Sequence, residues 1–146
     1  MRTRRSEKGA ALLEAAITIP MLLLIAVGIF EFGRAYQTWQ VITNAAREGA
    51  RVAVLPDPTP GIVEQRVFDY LQAGQLNYDP AEVDVVVNRS DTITVNGAPV
   101  SASRVTVDYP FEFMVLGGVV KLVSPQSDLG EALTMRSEAV MRNENQ

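Results

Sequence analysis

The chain has no cysteine and no histidine. Without cysteine, no disulfide framework can hold a small fold together. Without histidine, the commonest metal ligand and the commonest general base are both missing. Charge is scarce in one place above all. Residues 9–30 read GAALLEAAITIPMLLLIAVGIF, 22 residues with a single charged side chain. Three patterns that chemistry would need are also missing: a Ser/His/Asp set, a phosphate-binding glycine loop and a dinucleotide glycine pattern. An enzyme needs such groups to activate a nucleophile or hold a cofactor, so the expectation is a non-enzymatic protein with no cofactor and no metal.

The formal charge of -4 conceals an asymmetry. Arg2, Arg4, Arg5 and Lys8 face only Glu7 in the first nine residues, whereas nine basic and fifteen acidic residues follow from Glu31 onward. An acidic body repels a phosphate backbone, so nucleic acid is excluded as a partner. Basic residues before an apolar run of about 20 residues fit a membrane-spanning helix with its N-terminal side in the cytoplasm. The expected organisation is a basic cytoplasmic leader over 1–9, a transmembrane helix over 10–30, an amphipathic continuation over 31–55 and an outer domain over 56–146.

Two residues inside the run require a reason. Glu14 costs about 2.5–3.5 kcal/mol if it is central in a membrane. It either pairs with a positive group at matching depth or reaches the headgroups one turn from the cytoplasmic end. Pro20 removes a backbone donor, which predicts a kink or local unwinding between about Thr18 and Leu23. Ala26-Val27-Gly28 also offers small residues spaced for a signal peptidase, so release near Gly28 as a secreted domain stays open. A membrane-anchored periplasmic interaction module is the other alternative.

Gly9 followed by Ala10, apolar residues and Glu14 resembles the processing site of type IV pilin-like proteins. The stretch 9–53, with Glu31-Phe32-Gly33-Arg34-Ala35 and Asn44-Ala45-Ala46-Arg47-Glu48-Gly49-Ala50-Arg51, resembles the TadE-like minor pilins of tight-adherence pili. The resemblance implies cleavage between Gly9 and Ala10 by a prepilin peptidase and retention in the bacterial inner membrane. It also implies work with other pilin-like subunits and an inner-membrane assembly platform, within a pilus that can be extracellular. It further implies that Glu14 pairs with the new amine of Ala10. Ala10 and Ala15 stand where major pilin subunits carry aromatics, which argues for a minor role.

Beyond the span, Phe32, Ala35, Tyr36, Trp39, Ile42, Ala46, Gly49, Ala50 and Ala53 recur at spacings of three and four. One helix from about Ala10 to Leu55 is expected, with Phe32, Tyr36, Trp39, Ala46, Gly49 and Ala50 on its packing face. PDPTPG at 56–61 breaks it, and Thr59-Pro60 is expected to open a second helix that ends at Gly74. Period-two alternation then predicts strands around Val83, Val85 and Val87, around Val105, Val107 and Tyr109, and over 133–142, with a tight turn at Asn96-Gly97. The fold class expected is α+β, with a short second helix and a small antiparallel sheet of three or four strands packed on a long helix.

The run FEFMVLGGVVKLV at 111–123 is too short to span a bilayer and too apolar for an exposed loop. It reads as a core strand, a short buried helix, or a surface that docks on a neighbour or a membrane. Asp79, Glu82 and Asp84 lack the spacing of a calcium loop. Asn88-Arg89-Ser90 matches a glycosylation acceptor by chance frequency.

Overall fold

The computed structural model describes residues 3–56, 59–124, 126 and 131–143. Arg2 of the basic leader and Asp57-Pro58 of the helix break lie outside the described residues. The chain is α+β, with α1 (Thr3–Ala53), α2 (Ile62–Ala73), β1 (Asp84–Val95), β2 (Ala98–Phe111), α3 (Leu116–Val123) and β3 (Leu133–Arg142) in that order. It divides into two compact units. The first joins residues up to Arg34 with Phe113–Gly130, and the second joins Ala35–Glu112 with the residues from Glu131 onward.

In the second unit, three strands pair antiparallel in the order β1-β2-β3. The β1–β2 hairpin closes at Asn96 and Gly97, with φ of 52° and 81°, a pair of positive values that suits a tight turn to the right-handed twist of its strands. Polar side chains lace the outward face. Arg136 donates two 2.7 Å hydrogen bonds to its register partner Asp108 and holds that carboxyl below the usual carboxylate range. Arg104 joins Asp91 of β1 to Glu138 of β3. Ala102, Val105, Val107, Tyr109 and Phe111 of β2 are buried, as are Val63, Val67 and Leu71 of α2.

The outer half of α1 supplies the rest of this core through Ile42, Ala45, Ala46, Ala50 and Ala53, all fully buried. Small residues dominate because the backbones come close. A Cβ on Gly49 would stand 2.7 Å from Val67 Cγ2 and 3.2 Å from Val105 Cγ1. Ser137, the one polar residue on the inward face of β3, is buried and lies 3.2 Å from the Thr43 hydroxyl. Leu133, paired with Phe111 at the start of the strand, is exposed.

The expected end of α2 at Gly74 stands, and its expected start is corrected. The helix begins at Ile62 and not at Pro60, because Thr59-Pro60-Gly61-Ile62 closes a turn first. The Ile62 N–H donates to the Thr59 carbonyl at 3.1 Å, and Gly61 takes φ 82° and ψ -7°. Proline followed by a positive-φ glycine is the chemistry of a type II turn. At the other end, Gly74 has φ -75°, and Gln75, at φ 57°, takes the left-handed position. Gly74 is glycine for space, since a Cβ there would lie 2.4 Å from Val41 Cγ1 of α1.

Gly74→Ala is therefore expected to cost about 1–3 kcal/mol, the range for overpacking. Val41→Ala in the same chain should recover much of that loss. A double-mutant cycle by denaturant unfolding of the full chain measures the coupling. Strictly additive losses would show that Val41 does not limit the space at Gly74.

Candidate membrane-anchoring and assembly site

Twenty-one residues at about 1.5 Å per residue reach about 31 Å, enough for residues 10–30 to cross a hydrocarbon core of about 30 Å. Among the described residues, one helix is long and apolar enough for this, and none of its apolar window is buried within the fold. Leu12, Leu13, Ile17, Leu22, Leu23, Ile25 and Ile29 are exposed. So much apolar surface in water is untenable, and membrane anchoring is the function it fits. The helix passes through Pro20 as α-helix, without the local unwinding that proline allows there.

Gly9, Ala10 and Glu14 are all exposed on this helix. Ala10 and Glu14 are four residues apart and so lie on one face, a turn from each other. Nothing presses on Gly9, where an added Cβ would meet no atom within 4 Å. The fold therefore gives Gly9 no packing reason to be glycine.

The packing face expected along 32–50 divides. Ala46, Gly49 and Ala50 are buried, whereas Phe32, Tyr36 and Trp39 are 68%, 62% and 47% exposed. The buried stripe continues backward from Ile42 through Thr38 to Glu31. These are the polar residues at the right helical spacing, and the aromatics consequently fall on the other side. Tyr36 and Trp39 lie against each other with ring centroids 6.3 Å apart. Aromatics just beyond an apolar span suit the headgroup region, where a ring meets both water and acyl chain.

Glu31 is the residue that sequence reasoning undervalued, naming it as one residue of the motif at 31–35. It is fully buried. Its Oε1 accepts the Val115 N–H at 2.6 Å, the Leu116 N–H also reaches the carboxylate, and Arg34 donates to Oε2 at 2.9 Å. These N–H groups open α3, whose own N-cap, Val115, provides no capping side chain. A carboxylate at a helix N-terminus satisfies orphan donors and complements the helix dipole. The signal available in the sequence was an acid at the end of an apolar helix; its partner lies 84 residues away.

The ambiguous run at 111–123 resolves into two parts. Phe111 ends β2 and is buried, and Leu116–Val123 forms α3. Asp79 acts locally, its Oδ1 accepting the Ala81 N–H at 2.9 Å in the turn before β1.

The comparison with known families meets this same helix. Residues 9–51 match the family model described as TadE-like protein. The TadE-like match begins at Gly9 and ends two residues before α1 does, so it covers the apolar segment and the packed outer half, and leaves the sheet outside. No curated protein and no solved structure matches the chain.

Proposed function

We propose that this chain is a membrane-anchored minor pilin or pseudopilin that takes part in assembly of a tight-adherence pilus. The observation that carries the reading is that the match falls wholly within one helix. The TadE-like match covers 9–51, and the structure folds the same residues into one helix, apolar and uncovered at one end and packed into a domain at the other. A subunit that waits in a bilayer and later joins a fibre needs such a helix. Lipid covers the apolar surface first, and neighbouring subunits' helices cover it afterwards.

In this reading the basic leader stays in the cytoplasm, and a prepilin peptidase cuts between Gly9 and Ala10. The outer domain stands in the periplasm of a bacterial cell, beside an inner-membrane assembly platform and other pilin-like subunits. Exposed Phe32, Tyr36 and Trp39 extend the surface available to such neighbours. The chemistry is structural and not catalytic.

Mass spectrometry of the mature N-terminus in the native host is the test. Ala10 is the expected first residue. Gly9→Ala is expected to leave the full-length precursor in the membrane, because the peptidase must close on a backbone without a side chain, while the fold has open space there. Unchanged processing of Gly9→Ala, or a first residue near position 28, would remove this reading.

A further inference from the structure

The helix α3 has one face that its own unit leaves uncovered. Val115, Val119 and Leu122 follow at spacings of four and three and share that face, with exposures of 41%, 39% and 84%; Met114 just before them is 68% exposed. The opposite side is the packed one, with Gly117 buried and Leu116 and Val120 half-buried. Eight residues reach only about 12 Å, far short of a bilayer's thickness.

What places this face is Glu31. It follows Phe30, the last residue of the apolar run, and its carboxylate accepts the N–H of Val115, the N-cap of α3, at 2.6 Å. The start of α3 is thereby fastened at the depth where the span leaves the hydrocarbon. Its uncovered apolar face thus begins beside the end of the exposed apolar surface of α1. Lys121 stands exposed in the last turn, about 100° round the helix from Leu122. A lysine on the polar side of a helix that lies on a bilayer meets anionic headgroups with its ammonium.

We propose that α3 is a second, interfacial membrane contact: it lies on the outer surface of the bilayer that α1 crosses, with Val115, Val119 and Leu122 in the acyl boundary and Lys121 at the headgroups. The proposal rests on residues 10–30 spanning a bilayer and not on the pilus assignment. It gives Glu31 a role, that of the latch joining the spanning helix to the interfacial one.

The absence of cysteine makes the test direct, since a single introduced thiol is a unique labelling site. The full chain carrying Leu122→Cys, and separately Ser101→Cys on the exposed side of the sheet, is labelled with an environment-sensitive fluorophore and reconstituted at one copy per nanodisc of zwitterionic and anionic lipid. At position 122 the expected result is blue-shifted emission, with quenching by shallow nitroxide lipids several-fold stronger than at position 101. Iodide in the water should reverse that order. A label at 122 that is water-exposed in single-copy discs would overturn the proposal. Shielding that arises only when several copies share a disc would overturn it in favour of a neighbouring subunit. Shielding without lipid quenching would assign the face to the protein's own interior, and a chain that fails to enter discs would remove the spanning helix and this contact together. The N-terminus found in the native host bears on the pilus reading alone.

Discussion

Glu14→Leu is expected to abolish incorporation into pili while the protein stays at parental level in the inner membrane. The argument is electrostatic. A carboxylate within an apolar helix costs about 2.5–3.5 kcal/mol when central, so its removal does not impair insertion. Cleavage after Gly9 would create an amine on Ala10, which α1 carries on the same face as Glu14, one turn away. That amine, from the same chain or from a neighbour at matching depth, would be the positive group that makes a buried carboxylate tolerable.

Glu14→Gln should fail in the same way, because it keeps the shape and loses the charge. Glu14→Lys should be worse, since it sets two unhydrated positive groups together. Co-purification of each variant with assembled pili, beside its membrane level, is the measurement. Parental assembly of Glu14→Leu would leave Glu14 as a side chain that reaches the headgroups.

Gly49→Leu is expected to produce the largest loss of stability in the outer domain. The site has no room even for one carbon: a Cβ would meet Val67 at 2.7 Å and Val105 at 3.2 Å, with Val63 at 3.6 Å. These are branched side chains from two other elements, which cannot swing aside as a lysine would. Overpacking of this kind costs about 1–3 kcal/mol or more. For a chain of this length that corresponds to a fall in midpoint temperature on the order of 5 °C. Gly33→Leu is the internal control on the same helix, because an added Cβ there meets nothing within 4 Å. Thermal unfolding of the full chain in detergent compares the two. Equal midpoints would show that α1 does not pack closely on α2 and β2 at Gly49.

Much of this was legible because periodicity is local. A helix repeats every 3.6 residues and a strand every two, so the long helix, the three strands and the Asn96-Gly97 turn each follow from a few neighbouring residues. The apolar run 9–30 and the small residues 45–50 likewise declare what they must lie against. The faults arise where polar side chains take part in packing. Thr38 and Glu31 continue the buried stripe of α1, which a search for the most apolar face passes over in favour of Phe32, Tyr36 and Trp39.

Arg89 makes the same point from the sheet. Read in sequence, it belongs to a chance acceptor motif. In the fold, the β1–β2 register shifts between Asn88 and Asp91, setting Arg89 and Ser90 opposite Ser103 alone. A bulge of that kind redirects a side chain. Arg89 Nε donates to the Ala53 carbonyl at 3.0 Å and its guanidinium to the Leu55 carbonyl at 2.9 Å, placing a cation at the C-terminal end of α1.

The sequence by itself determined the long helix, the strands, the apolar span with its basic flank and the resemblance that the TadE-like match repeats. Only the tertiary structure decided that Gly74 is glycine to admit Val41, that Arg89 closes the end of α1, and that Glu31 holds the start of α3. The physical reason is distance along the chain. A hydrophobic period is written within a dozen residues, but a carboxylate and the Val115 N–H it caps 84 residues later share no pattern until the fold brings them to 2.6 Å.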